Sequence, residues 1–191
     1  MKVITRVIAS CLVMTLIGCV QINSEADYSA LKREQLASSS VTDIEKQYEQ
    51  GSKFTVSPVY LYSAKLRTEE LEKVYEVYER AIVKRLSDAG YHFSSDAQAS
   101  DFVIGFALAL EADFSDETIN EQFGVSPGLT VLEDLEKGSF LIYIQDIESH
   151  QRIWRGAVQG FVHEELSPVQ REHRASKIVD SVLSQYIASN R

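Results

Sequence analysis

Four groups of residues in this 191-residue chain have types and spacings that could do chemistry. Gly124-Val125-Ser126-Pro127-Gly128 matches the G-x-S-x-G string that presents a nucleophilic serine at a strand-to-helix elbow. That elbow builds part of its oxyanion hole from the backbone N–H of the residue after the serine. Here that residue is Pro127, which has none, and the flanking segment is polar, so the string reads as a Pro-Gly turn. His163-Glu164-Glu165 opens like a zinc-protease helix, but the second histidine would have to stand at position 167, which is Ser167. His163 and His173 with Glu164, Glu165 or Glu172 would still supply two imidazoles and a carboxylate, a donor set that suits zinc. Their spacing fits no known signature, so a solvated polar turn is expected. Asp113, Asp116, Glu117, Glu121, Glu133, Asp134 and Glu136 crowd one stretch, without the alternating Asp/Asn and Gly of an EF-hand loop. They read as solvated loop acids, and neutralising Asp116 and Glu117 should leave stability unchanged. No catalytic residue, cofactor or metal site is expected, and the chain reads as a non-enzyme.

The fourth group is a thiol at the end of an apolar run. Lys2 and Arg6 precede Val7 to Ile17, which carries no charge and is shorter than the roughly 20 residues that span a bilayer. Leu16-Ile17-Gly18-Cys19 closes the run and resembles the lipobox of bacterial lipoproteins. The resemblance implies that residues 1–18 are a cleaved signal peptide. It also implies that Cys19 becomes the first mature residue, carrying a diacylglyceryl thioether and an acylated amine. One acyl chain anchors only marginally at about 0.8 kcal/mol per methylene, whereas three anchor in practice permanently. Val20, where an Asp would favour the inner membrane, points by the same resemblance to the outer membrane with the domain facing the periplasm.

Lys2 and Arg6 leave with the signal, which takes the formal charge from −9 to −11. So acidic a chain, without a basic stripe, is a poor partner for nucleic acid and argues against the protein body lying on anionic lipid heads. Cys11 lies in the signal and Cys19 is the acylation site, so the folded part has no disulfide and depends on its core.

Residues 19–52 read as a lipidated tether, with short helices around Asp27–Leu36 and from Ser40 to Gln50, the second stopped by Gly51. The domain is read over residues 53–191. Phe54-Thr55-Val56 and Val59-Tyr60-Leu61-Tyr62 have strand composition, with Pro58 pushing them towards an edge or bulge. Thr68 to Ala89 places Leu71, Tyr75, Tyr78, Ile82 and Leu86 on one helical stripe. A short strand at Tyr91–Phe93 and an apolar central strand from Asp101 to Ala112 follow. Beyond the acidic loop of residues 113–137, the segments Ser139–Ile147 and Arg152–His163 read as an antiparallel hairpin. Ser167-Pro168-Val169-Gln170 then opens a terminal helix with a capping box. The order β-α-β-β-β-β-α predicts an α+β two-layer sandwich, a mostly antiparallel sheet with two long helices on one face.

Alternation along the last strand puts Trp154, Gly156, Val158 and Gly160 on one face, and Ile153, Arg155, Ala157, Gln159 and Phe161 on the other. Trp154 then packs under a helix; exposed instead, between Arg152 and Arg155, it would be an interface anchor. Asp101-Phe102-Val103-Ile104, the hairpin Leu141-Ile142-Tyr143-Ile144-Gln145-Asp146-Ile147 and Arg152-Ile153-Trp154-Arg155-Gly156-Ala157 together carry a resemblance. Over roughly Lys53 to Ile187 the chain resembles small Gram-negative envelope lipoproteins grouped as a domain of unknown function, a family that brings no catalytic residues. The function expected is that of a lipoprotein anchored at the outer membrane through Cys19, which contacts an envelope protein and serves interaction or assembly. The alternative is a small-molecule or lipid-binding lipoprotein holding its ligand between the sheet and the 113–137 loop; a hydrolase using His163 and His173 ranks last.

Overall fold

The computed structural model describes residues 31–61, 68–132, 135–163 and 165–190. The signal segment, Cys19 and residues 27–30 of the first expected helix lie outside them. Six strands form one sheet: β1 (Leu36–Thr42), β2 (Lys53–Pro58), β3 (His92–Phe93), β4 (Phe102–Leu110), β5 (Lys137–Asp146) and β6 (Arg152–Phe161). Their spatial order is β1-β6-β5-β4-β2-β3. β2 runs parallel to both β3 and β4, because helix α1 (Thr68–Asp88) carries the chain back across the sheet; the remaining pairings are antiparallel.

α1 and the terminal helix α3 (Pro168–Ser189) cover one face of the sheet, the two-layer α+β arrangement read from the sequence. Each helix forms for local reasons. Glu69 and Glu70 sit in the first turn of α1, where the macrodipole favours anions. At the start of α3 the Ser167 hydroxyl accepts the Gln170 N–H, the Gln170 side chain accepts the Ser167 N–H, and Pro168 occupies the first turn. Their apolar stripes, Tyr75, Ile82 and Leu86 on α1 with Ile178, Val182 and Leu183 on α3, meet Phe102, Ile104, Phe106, Phe140, Ile142 and Ile144 of the central strands. Arg85 pairs with Asp180 at 2.6 Å and Arg80 with Glu172 at 3.3 Å; the near-constant offset shows that the helices run parallel.

Two elements differ from the sequence reading. The helix expected over residues 40–50 is absent: residues 36–42 form β1, paired along its length with β6, and Tyr48 is buried in the main core. The domain therefore begins near residue 36 rather than 53, and a tether ending at 52 is too long. The reason is that Ala37-Ser38-Ser39-Ser40 pairs through its backbone, and the side chains it turns to α3 are polar: Ser40 donates to Gln185 at 2.7 Å and Ser38 accepts from it at 3.0 Å. Gly51 does adopt a left-handed φ of 94°, but in a turn whose N–H bonds the Gly90 carbonyl.

The second difference is in the acidic stretch, which holds a helix, α2 (Asp116–Phe123). Ser115 caps its start, accepting from the Thr118 N–H, and Gly124 closes it in the left-handed conformation. This segment folds over the sheet face opposite the long helices. There Ile119 and Val125, with Phe114 and Phe123 beside them, pack on Ala107, Ala109, Leu141 and Ala157. Small residues on that face are what let so short a cover lie flat.

Candidate functional site

The β5–β6 hairpin carries the residues singled out in the sequence. Trp154 is 3% exposed and lies against Tyr186 of α3 with ring centroids 5.5 Å apart. A Cβ on Gly156 would stand 2.4 Å from Val182 and 2.7 Å from the indole, so the close approach of α3 requires glycine there. Arg155 points to the opposite face. It pairs with Asp43 at 2.9 Å and donates to the Phe123 carbonyl at 2.9 Å, satisfying one of the orphan carbonyls at the end of α2. Arg152 stands 3.6 Å from the same Asp43. Alternation along the strand thus separates Trp154 from Arg155, and the three residues do not make one exposed patch. Ile153 departs from the expected alternation: a register shift opposite Ile144 and Gln145 turns it into the main core.

Two clusters of buried charge join acids named in the sequence, Asp146 and Asp116, to partners that were not singled out there. At the end of β5, Asp146 is 2% exposed and accepts from Lys46, from the Tyr48 hydroxyl at 2.6 Å, and from Ser149 through both its N–H at 2.8 Å and its hydroxyl at 2.6 Å. Burial opposes ionisation of this carboxyl, but the hydrogen bonds from Lys46, Ser149 and Tyr48 outweigh it and hold Asp146 well below the usual carboxylate range. Burial, reinforced by the Asp146 charge, pushes the Tyr48 hydroxyl far up. A carboxylate so fully occupied fixes the hairpin turn and clamps the segment after β1 onto it; it has little basicity to offer a substrate. Lys46, Tyr48, Asp101 and Asp146 line a surface cleft of about 180 Å³.

At the other end of β5, the Lys137 side chain is 2% exposed and lies between Glu111 at 2.7 Å and Asp116 at 2.6 Å. Its burial favours the neutral amine, but the hydrogen bonds and charges of Asp116 and Glu111 win and raise its pKa. Gln159, fully buried, donates to Asp116 and to Ser139, and accepts the Leu129 N–H at 2.9 Å. This network ties both arms of the 111–136 segment to the sheet. Asp116 is therefore a structural ligand of Lys137 rather than a solvated acid, whereas Glu117 is exposed.

His163 follows β6, its Nε2 3.0 Å from the Arg33 carbonyl oxygen, and His173 is exposed on α3. Among the described residues no group of three or more His, Cys, Asp or Glu side chains could hold a metal ion. Gly124 and Gly128 of the G-x-S-x-G string both have left-handed φ, and Gly124 is the cap of α2. No helix among the described residues is long and apolar enough to cross a membrane.

Residues 40–186 match the family described as Domain of unknown function (DUF4136). The chain belongs to this family. The DUF4136 match starts within β1, which agrees with the early domain boundary seen in the sheet. No curated protein matches the chain. Among solved structures, a DUF4136 family protein from Bacteroides thetaiotaomicron is 12% identical, with 82% of this chain and 98% of that one covered and a TM-score of 0.48. The PelC dodecamer from Paraburkholderia phytofirmans is also 12% identical, covering 78% and 96%, with a TM-score of 0.48. Lipoprotein GNA1162 from Neisseria meningitidis is 14% identical, covering 72% and 99%, with a TM-score of 0.36. Likenesses this distant carry no assembly, ligand or partner to this chain.

The two acids that carried the family resemblance have defined places in this DUF4136 domain. Asp101 opens β4 and accepts the Lys53 N–H at 2.7 Å, joining β2 to it, and Asp146 closes β5 as described. The roles of Lys46, Tyr48, Lys137 and Gln159 escaped the sequence reading. The one signal available was Lys137, the lone lysine at the edge of an acidic run and next to an apolar strand.

Proposed function

We propose that the mature protein is an envelope lipoprotein held by acylated Cys19 at the periplasmic face of the outer membrane, and that its DUF4136 domain works by contact with other envelope proteins rather than by turnover. The supporting observation is the filled space under the 111–136 segment. Where the ligand-binding alternative needs a cavity, Ile119, Val125, Phe114 and Phe123 meet Ala107, Leu141 and Ala157. The cleft beside Asp146, at about 180 Å³, is smaller than the roughly 300–1,000 Å³ of typical ligand pockets. Burial of Asp146 and Lys137 among saturating partners also favours a scaffold over a reacting site.

Cys19→Ala tests the anchor. The native protein should fractionate with membranes, begin at Cys19 and carry added acyl mass; the variant should lose all three properties. Native mass spectrometry of the purified chain tests the contact reading, because a stoichiometric small molecule retained by the domain would favour the alternative.

A further inference from the structure

The two edges of the sheet are finished differently. At one end of the strand order, β3 is two residues long. At the other, β1 runs for seven residues, Leu36-Ala37-Ser38-Ser39-Ser40-Val41-Thr42, with no charge, proline or glycine, and pairs with β6 without a register shift. Short strands, edge lysines, prolines and bulges are what keep an open edge from pairing with another chain, and β1 has none of them. Nor does α3 close this edge. The helix follows β6, with Val182 close over Gly156 and Tyr186 against Trp154, and reaches β1 with the Gln185 side chain.

The phase of the ladder decides which backbone groups are open. The Asp43 N–H donates to the Ile153 carbonyl at 2.8 Å, which makes Thr42 and Trp154 a pair without mutual bonds. Ala37, Ser39 and Val41 therefore bond β6, while Leu36, Ser38, Ser40 and Thr42 turn their N–H and C=O groups outward. Among the described residues no strand or loop bonds those groups.

The edge is close to its own complement, with serines in the middle and larger side chains towards both ends. Antiparallel pairing about Ser39 sets Leu36 opposite Thr42 of a second copy and Ser38 opposite its Ser40, each pair exchanging two backbone bonds. Between them Ala37 meets Val41 of the second copy, and Ser39 meets Ser39. Val41, 38% exposed in the single chain, gains an apolar neighbour. Ser39, whose buried Oγ has no hydrogen-bond partner among the described residues, comes beside a second serine. No charge falls within the paired stretch. We propose that β1 is a self-association site, joining two copies of this domain edge to edge into one continuous sheet. The pairing rests neither on the Cys19 anchor nor on contacts with other envelope proteins.

The test uses the unacylated mature chain with Cys19→Ser, which has no other thiol. Ala37→Cys and Val41→Cys are placed in it separately. Unbonded antiparallel pairs hold their Cα atoms about 4.5 Å apart, within the range that a disulfide spans. Oxidised together, the two variants should give a mixed disulfide dimer, recognised by its mass, several-fold in excess of random pairing; a random yield overturns the proposal. Amide exchange followed by NMR reads the edge itself. The Ser38 and Ser40 amides should be protected in concentrated protein and lose protection on dilution, whereas those of Ser39 and Val41 stay protected throughout. Protection of Ser38 and Ser40 that ignores dilution means that the edge is covered within one chain, and overturns the pairing. So does fast exchange persisting at about 1 mM, the effective concentration that short tethers provide. Ser38→Pro removes an outward N–H and none of the bonds to β6, so it should abolish the dilution-dependent protection of Ser40 at an unchanged melting temperature. If it melts lower, Val41→Lys, a charge at an exposed edge position, takes its place. A folded variant that keeps that protection overturns the proposal.

Discussion

Removing the Trp154 indole should cost this domain a large part of its stability. The side chain is 3% exposed, wedged between β6 and Tyr186 of α3. A buried Trp covers roughly 150–250 Å², which at about 25 cal/mol per Å² is roughly 4–6 kcal/mol before subtracting what alanine retains. The hole cannot close easily, because α3 is tied to α1 by Arg85–Asp180 and to β1 by Gln185, so a cavity term adds to the lost transfer energy. Trp→Ala changes in cores cost about 3–5 kcal/mol, against a total of about 5–15 kcal/mol for a domain and no disulfide in this one. At about 2–4 °C per kcal/mol for this size, Trp154→Ala should melt on the order of 10 °C below the parent. Circular dichroism of the mature chain measures the shift. Because Trp154 is the sole tryptophan, its emission independently reports burial. A variant melting within about 2 °C of the parent, or red-shifted native emission, would refute the packing argument.

Lys137→Met should destabilise by about 1–3 kcal/mol, less than the 3–5 kcal/mol of a fully buried pair because Glu111 and Asp116 are each about one-third exposed. Asp116→Asn should cost a measurable part of that and Glu117→Gln nothing, as urea unfolding would show; equal effects for the two acids would sink the network. Gly105→Ala should be harmful, since a Cβ there would lie 2.0 Å from the Tyr143 ring, and recovery in Gly105→Ala/Tyr143→Ala would identify the clash as the cause. Asp146 has its folded pKa depressed. Its contribution is present above the unfolded value of about 3.9 and is lost as pH falls through the folded one. The urea midpoint of the parent should therefore drop below about pH 5 more steeply than that of Asp146→Asn; parallel curves would contradict this.

The elements legible in the sequence are those with a strong apolar period. Ile82 and Leu86 on α1, Ile178 and Val182 on α3, and the run from Phe102 to Leu108 each announce their partner surface, and Ser167 with Gln170 announces a cap. β1 was illegible because an edge strand of serines is specified by its backbone bonds to β6 and by Gln185, neither of which leaves an apolar pattern. α2 was hidden because one buried residue, Ile119, carries its inner face, while its acids suggest a solvated loop. The charged clusters were less legible still. Lys46 and Asp146 are 100 residues apart in the chain, and no local rule pairs them.

Because β1 is both the edge of the sheet and its first strand, any load on the chain ahead of it, such as the proposed Cys19 anchor would impose, enters the sheet at Leu36. A pull along the strand axis strains all seven residue pairs between Leu36–Gly160 and Thr42–Trp154 together, a shear geometry that resists force. A sideways drag instead peels β1 from β6 one pair at a time, beginning where Arg33 and Glu34 are held by His163 and Arg174. Those two contacts hold the chain just ahead of the first strand pair, so a lateral tug has to break them before it peels β1.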